Sequence, residues 1–265
     1  MAEPITPIRA VHFDLKGVPP TPERLISLLD VLAAANYNAI LAEWEDTFPW
    51  TVDPRFRCET AYTRDQVRRW ADAAAKRGIE IISLVQCLGH METPLSVAGY
   101  EHLREVPHKS DVLNPLAPGA RELVQAMVDE VLELLPEQRY LHLGGDEAWS
   151  FGTHPHTAAY IAEHGKGALY LHHIDPILDS LNSRGVRPIL WHDMMLSWDS
   201  DALRRFAPKA DLCVWGYGGR PDTTGGHHAV KHFDRLAEHG ITMWGGTAYK
   251  GADGHNVDLP VWATR

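Results

Sequence analysis

The sequence contains few cysteines. Cys58, Cys87 and Cys213 are the three in a chain of 265 residues, and no two of them form a C-x-x-C pair. An odd number of scattered cysteines excludes a disulfide-stapled scaffold and argues against a structural zinc site, which needs several closely spaced ligands. Cys87 and Cys213 lie within apolar runs, so we expect them to be inert thiols in the core.

Basic residues and long apolar runs are also scarce. Lys and Arg number 25 against 35 Asp and Glu, which gives a formal net charge of −10 at pH 7. This balance argues against nucleic acid or an anionic membrane as the main partner. No apolar run is long enough to span a bilayer, and the N-terminal segment lacks the basic and apolar regions of a secretory signal. We therefore expect a cytoplasmic protein.

Phosphate-binding motifs are missing as well. Neither G-x-G-x-x-G nor G-x-x-x-x-G-K-[ST] follows any predicted strand, which disfavours a doubly wound nucleotide-binding sheet. Instead, about seven short apolar strands alternate with amphipathic helices, and acids, histidines and aromatic residues follow the strands. The predicted strands cover residues 8–15, 39–44, 79–86, 140–143, 186–191, 212–215 and 241–244.

Helices are predicted from residue 21 and over 63–77, 118–135, 166–184 and 230–239, and a long loop follows the third strand. The alternation predicts an α/β fold of the (β/α)8 TIM-barrel type, forming a single catalytic domain over residues 1–265. The sequence ends at Arg265, where an eighth βα unit would be expected, so we predict a barrel without that unit. An open barrel edge would favour self-association into a homo-oligomer.

The most informative stretch is RYLHLGGDEAW at residues 139–149. A short apolar strand ends in two glycines, and Asp146 and Glu147 follow at once. An isolated Asp–Glu pair is more often a solvated rim feature, but the end of a barrel strand is where such enzymes place catalytic acids. Neighbouring residues on a strand point to opposite faces, so this pair cannot flank a bond as the two acids of ordinary retaining glycosidases do. One acid would transfer a proton while the other orients or stabilises the substrate.

Sixteen histidines raise the question of a metal site. The candidates at strand ends, with acids close to them in sequence, are His12, His90, His142 and His192. No H-x-H or H-E-x-x-H occurs, and a single histidine is more often a hydrogen-bonded core or rim residue. We therefore expect no metal and no cofactor.

Tryptophans provide a further indication of the ligand. Nine occur, and five lie at or just past predicted strand ends: Trp44, Trp149, Trp191, Trp215 and Trp244. Core packing accounts for some of these, but several aromatic faces at one rim suit the apolar face of a sugar ring. Tyr217 and Tyr249, in glycine-rich segments after later strands, are further candidates for such a pocket.

Taken together, these motifs resemble glycoside hydrolase family 20, the β-N-acetylhexosaminidases, and especially its hexosaminidase D-like branch. HLGGDEAW is similar to the H-x-G-G-D-E signature of that family. The other similar segments are DLKG at 14–17, AEWEDTFPW at 42–50, QCLGHMETPL at 86–95, WHDMM at 191–195 and GGTAYKGA at 245–252. They cover nearly the whole chain in the family's order.

The resemblance implies an exo-acting enzyme that hydrolyses terminal β-linked GlcNAc or GalNAc from an amino-sugar glycoside. Glu147 would be the general acid/base, and Asp146 would orient the 2-acetamido group, whose carbonyl oxygen is the nucleophile. His90 and Asp46 match the residues that support the catalytic glutamate, and His142 belongs to the signature itself. The residues matching the substrate pocket are Lys16, Trp191, Asp193, Trp215, Tyr217 and Tyr249.

Two departures from the family leave other functions open. The tryptophan and sugar-binding acid of an eighth strand have no counterpart here, and the arginine of the first strand is replaced by Lys16. A truncated barrel that binds sugar without turnover is one alternative. A metal-dependent barrel hydrolase or isomerase is the other.

Overall fold

The computed structural model describes residues 6–216 and 230–247. Its centre is a seven-stranded sheet in which every neighbouring pair is parallel and the strand order follows the sequence. The strands are β1 Ala10–Asp14, β2 Ala39–Glu43, β3 Glu80–Leu84, β4 Tyr140–His142, β5 Arg187–Trp191, β6 Asp211–Gly216 and β7 Met243–Thr247. Successive parallel strands joined by helices are the pattern of a β/α barrel, so the predicted fold class is confirmed.

Eight α-helices lie in the described ranges: α1 Pro22–Ala34, α2 Arg64–Ala75, α3 Glu92–Leu95, α4 Ala120–Leu134, α5 Pro155–His164, α6 Lys166–Ser183, α7 Ser200–Phe206 and α8 Val230–Glu238. Local sequence explains their starts: Thr21 caps α1 ahead of Pro22, and Thr63 and Gln66 form a capping box on α2. The short helices α3, α5 and α7 were not predicted, because few turns give only a weak periodic signal.

Alternate residues of the strands pack into two separate cores. Outward residues such as Ile40 and Ala42 join the large cluster beneath the helices. Inward residues such as Leu41, Leu84 and Trp191 form a smaller cluster enclosed by the curved sheet. Because side chains alternate along a strand, each strand supplies one face to each core, as in a barrel with a packed interior.

The sheet is less well covered at its two outer strands. All residues of β2 are buried, whereas β1 and β7 consist of exposed and intermediate positions. In the described residues, β1 pairs with β2 alone and β7 with β6 alone. Carboxyl ends of parallel strands nevertheless lie at one end of the sheet, and the loops that follow them meet there.

Two smaller expectations have different outcomes. Cys87 and Cys213 are buried, and burial raises the pKa of each thiol to about 12, so both are unreactive at neutral pH as predicted. The seventh strand was predicted to end at Trp244, but β7 runs to Thr247, so Trp244 lies near its start. None of the helices in the described part of the chain has the length and apolar character that a membrane span requires.

Candidate active site

The two adjacent acids lie on a sharp turn after β4, which we call the acidic turn, residues 144–147. Gly144 and Gly145 have positive φ angles of 57° and 79°, which glycine adopts without steric cost. Glu147 also has a positive φ, 47°, a conformation that costs energy for a residue with a side chain. Left-handed backbone at a non-glycine residue is typical of functional sites, where the surroundings hold the strained geometry in place.

Hydrogen bonds from neighbouring elements hold the acidic turn. The Gly145 N–H donates to Gln86 Oε1 at 3.2 Å, and the Tyr170 hydroxyl donates to the Gly145 carbonyl at 3.0 Å. The Glu147 N–H donates to Asp193 Oδ2 at 2.9 Å. Every one of these partners comes from a different element, so the turn is fixed by tertiary structure rather than by its own sequence.

The expectation that Asp146 and Glu147 point to opposite faces was wrong. β4 ends at His142, and the left-handed turn that follows brings both carboxylates to the same imidazole. Asp146 Oδ2 lies 3.5 Å and Glu147 Oε2 lies 3.6 Å from His90 Nε2. The alternation of side chains applies to extended backbone, and the backbone here is no longer extended.

The two acids are close to each other as well as to His90. One oxygen of Asp146 lies within 4.8 Å of one oxygen of Glu147. Two carboxylates that act as nucleophile and acid in a retaining glycosidase stand about 5–5.5 Å apart across the scissile bond. Asp146 and Glu147 are therefore close enough together to contact the same part of a ligand.

The electrostatics of the site couple Asp146 to His90. Burial raises the pKa of Asp146, although its ion pair with His90 acts in the opposite direction. Contact with Asp146 raises the pKa of His90 to about 9 against the opposing effect of burial. His90 is therefore a cation at neutral pH. Asp146 Oδ1 is buried and has no hydrogen-bond partner within the described part of the chain.

His90 reaches the acidic turn because its loop packs directly against it. A Cβ atom at Gly89 would stand 1.9 Å from the Asp146 carbonyl oxygen, so a glycine is required at this contact. His90 itself has a positive φ of 54°. Both features direct the imidazole of the long loop after β3 towards the two carboxylates.

Asp46, the acid predicted to support His90, makes a different contact in the structure. Asp46 Oδ1 accepts from the Gly17 N–H at 3.0 Å, and the hydrogen bonds of the described residues include none between Asp46 and His90. Its neighbour Glu45 instead lines a small cavity together with His90. Burial raises the pKa of Glu45 to about 7, and Thr93 donates to its carboxylate at 2.7 Å. Because the two acids are adjacent, the sequence alone does not indicate which one turns towards this cavity.

His142 lies under the acidic turn, on the inner face of the sheet. It is buried, and its Nδ1 accepts from the Gly144 N–H at 2.9 Å. Burial lowers the pKa of this imidazole to about 3, so it is neutral. Its ring packs against Trp191 with centroids 4.3 Å apart. His142 therefore contacts the start of the acidic turn, and Trp191 packs beside it.

The predicted pocket residues are distributed unevenly. One oxygen of Asp193 accepts from the Glu147 N–H, and the other accepts from Trp215 Nε1 at 3.2 Å. Lys16 is half exposed, and its Nζ lies 3.6 Å from Asp14 Oδ2. Burial acts to lower the pKa of Lys16, but the nearby carboxylates of Glu43 and Asp14 raise it overall. Tyr217 and Tyr249 lie outside the described residues.

The remaining tryptophans do not all belong to one rim. Trp44 is fully buried and packs edge-on against Phe48 and Trp70, so it is a core residue. The Trp244 indole donates to Asp211 early in β7, away from the carboxyl ends of the strands. Trp149 is 69% exposed and lies two residues after Glu147. A position next to a strand end in the sequence does not by itself place a side chain in the pocket.

One group of side chains in the described ranges has the spacing of a metal site. The nitrogen of His90 and one oxygen each of Asp146 and Glu147 lie within 4.8 Å of one another. Three such donors could hold a divalent ion, but a cationic histidine between two acids also suits proton transfer.

Comparison with known proteins gives concordant matches. The model of the glycosyl hydrolase family 20 catalytic domain matches residues 8–225. Hexosaminidase D of Bos taurus is 32% identical over 260 residues, which is 95% of this chain and 74% of that protein. Hexosaminidase D of Homo sapiens is also 32% identical over 260 residues, but the chain spans only 53% of its length.

Solved structures with the same fold belong to similar proteins. The chitobiase of Flavobacterium johnsoniae superposes with a TM-score of 0.73 at 19% identity, covering 92% of this chain and 38% of that one. A β-N-acetylhexosaminidase of Bacteroides fragilis gives a TM-score of 0.69 at 17% identity, with 91% and 50% covered. At these identities the likeness establishes the fold.

Proposed function

Because this chain belongs to glycosyl hydrolase family 20, we propose that it is an exo-acting β-N-acetylhexosaminidase that releases terminal β-linked GlcNAc or GalNAc with retention of configuration. The membership confirms the prediction of a glycoside hydrolase. One observation carries the finer proposal: Asp146 and Glu147 lie side by side, both within 3.6 Å of the His90 imidazole. The names of the bovine and human relatives support the same activity.

In the first step, Glu147 donates its proton to the glycosidic oxygen as the bond from that oxygen to C1 breaks. The carbonyl oxygen of the substrate's own 2-acetamido group forms a bond to C1, which gives an oxazolinium ion. No second enzyme carboxylate is then needed across the ring. General acid catalysis of this kind contributes about 10²–10⁴-fold to the rate.

Asp146 is suited to bind the acetamido group during this step. Its buried Oδ1 accepts the acetamido N–H, while Oδ2 stays beside His90. A carboxylate in a buried site stabilises the positive charge that develops on the nitrogen more strongly than one in water would. Water then attacks C1, Glu147 takes up the proton, and the bond to the acetamido oxygen breaks, so two inversions give retention.

His90 supports the two acids as a positive charge placed beside them. As a cation it lies against both carboxylates, and its charge favours the ionised form of Asp146, the form that accepts the acetamido N–H. We assign Glu45, rather than Asp46, as the acid behind His90, since Glu45 lines the same cavity. Trp191 and the indole of Trp215 provide flat surfaces for the sugar.

A p-nitrophenyl N-acetyl-β-hexosaminide assay tests the proposal. The wild-type protein should release p-nitrophenol, and Glu147→Gln should lose at least about 100-fold in kcat, the lower end of what a general acid contributes. Glu133→Gln is the matched control, because this glutamate is 73% exposed on α4 and should leave kcat unchanged. Proton NMR of the first product formed should detect the β-anomer.

Other outcomes would point to other functions. If the wild-type protein shows no turnover and GlcNAc still raises its melting temperature, the chain is a sugar-binding barrel and the enzymatic proposal is wrong. An initial α-anomer would rule out the substrate-assisted route. A cytoplasmic location and self-association stay predictions.

A further inference from the structure

A chain of three buried or half-buried side chains leads from the outer strand β1 to the acidic turn. His12 Nε2 lies 3.0 Å from Glu43 Oε2, within hydrogen-bond distance. Gln86 Nε2 donates to Glu43 Oε1 at 3.1 Å, and Gln86 Oε1 accepts from the Gly145 N–H at 3.2 Å. None of these three side chains is among the residues assigned so far to substrate or proton transfer.

The charge on Glu43 determines which way the Gln86 amide faces. Glu43 is 8% exposed, and although burial opposes ionisation, the contact with His12 and other nearby groups lowers its pKa to about 2. An ionised carboxylate accepts hydrogen bonds but donates none, so the NH2 group of Gln86 must face it. The oxygen of the same amide is thereby directed to the Gly145 N–H.

The acidic turn is built against this oxygen. A Cβ atom at Gly144 would lie 1.8 Å from Gln86 Oε1, so the turn and the amide are in direct contact. If the amide turned round, its NH2 group would oppose the Gly145 N–H, leaving a buried donor unpaired. A buried unpaired donor is costly enough to displace a local turn.

We propose that Glu43 and Gln86 are positioning residues for the reaction: Glu43 orients the Gln86 amide, and Gln86 holds the backbone that carries Asp146 and Glu147. The inference rests on the proposed function, since it concerns the same two acids. Neither residue touches the reacting atoms. Their contribution is to keep both carboxylates within the narrow range of positions that catalysis requires.

Exchanging the two chemical groups tests this inference. In Gln86→Glu alone, the new carboxylate faces the carboxylate of Glu43, and the repulsion between them displaces it from the Gly145 N–H. In the double variant Glu43→Gln with Gln86→Glu, the amide at 43 donates to the carboxylate at 86, and its oxygen accepts from His12. Every hydrogen bond of the chain can therefore be restored in the double variant and not in the single one.

We expect kcat of Gln86→Glu to fall about 100-fold with little change in KM, the size of effect that a small misplacement of catalytic groups produces. The double variant should recover to within about threefold of wild type, a coupling that independent sites do not show. Glu43→Gln alone should lose only a few-fold, because its amide oxygen can still accept from Gln86. Melting temperatures confirm that each variant is folded.

Amide hydrogen exchange at Gly145 provides a readout that does not depend on turnover. Exchange should be about tenfold faster in Gln86→Glu and return towards wild type in the double variant, following the loss and recovery of one hydrogen bond. Gln138→Leu is the matched control: Gln138 is a buried glutamine that accepts from the Ser83 N–H, remote from the acidic turn. It should lower the melting temperature without changing kcat.

The outcomes separate this inference from the proposed function. If the wild-type protein is inactive, the proposed function fails, while exchange at Gly145 still tests the positioning chain. If the double variant is no more active and no better protected at Gly145 than Gln86→Glu, the chain does not position the turn and the inference is wrong. Equal losses of kcat in Gln86→Glu and Gln138→Leu would also overturn it.

Discussion

The left-handed backbone of Glu147 should cost the protein measurable stability. Its φ of 47° lies in the left-handed region of backbone conformation, which L-residues avoid. The cost relative to right-handed backbone is about 1–2 kcal/mol for a residue with a Cβ atom, and glycine is free of it. We therefore compare Glu147→Gly with Glu147→Ala. Both remove the carboxylate, so the difference between them reports on the backbone alone.

The size of the difference follows from two opposing effects. Glycine removes the strain of about 1–2 kcal/mol, but it also gives the unfolded chain more freedom, which costs about 0.4–1 kcal/mol. The net gain over alanine should be about 1 kcal/mol. For a protein of this size, that corresponds to about 2–4 °C in melting temperature.

Arg68 provides the control with the opposite sign. It lies at an exposed position in the middle of α2, where the backbone is right-handed. There Arg68→Gly should be less stable than Arg68→Ala by about 1 kcal/mol. Thermal unfolding by circular dichroism, with denaturant midpoints as a second measure, is the assay. If Glu147→Gly melts at or below Glu147→Ala, the strain at this residue is not real.

Three further predictions concern the site itself. Asp193→Asn should lower kcat more than it raises KM, because one Asp193 oxygen accepts from the Glu147 N–H and the other accepts from the Trp215 indole. A selective rise in KM would instead mean that Asp193 binds sugar. Contact with Asp146 raises the pKa of His90 from 6.5 to about 9. The stabilisation that this ion pair gives to the fold should therefore be complete below pH 6.5 and disappear as the pH rises through about 9. Melting temperature measured against pH should show this loss of stability in the wild-type protein and not in His90→Gln. The same profile in both proteins would contradict the prediction. EDTA should leave activity intact, whereas loss that a divalent ion restores would favour the metal-dependent alternative.

Much of the architecture could be predicted from local sequence. Apolar strands alternating with capped helices specify a parallel β/α fold, because each strand must bury both faces. The strand ends were placed less well: β7 extends past Trp244 to Thr247. Helices α3, α5 and α7 were missed for a related reason, since short elements are held mainly by packing, which a periodic pattern does not reveal.

The candidate site was predictable in its members but not in its geometry. The glycines and the two acids at 144–147 stand next to each other in the sequence, so their place after a strand was evident. Which way each carboxylate points depends on the φ angle of Glu147, held by the carboxylate of Asp193 from another strand end. A prediction based on extended backbone therefore gave the wrong relative orientation.

By itself, the sequence determined the fold class, the family and the residue types that carry the chemistry, because these depend on local periodicity and on contiguous motifs. Tertiary structure alone decided that Glu45 rather than Asp46 lines the cavity beside His90, and that Trp44 belongs to the core. It also placed Gln86 against the acidic turn. These choices depend on contacts between residues far apart in the chain, where burial and hydrogen-bond partners, not residue type, set the role of a side chain.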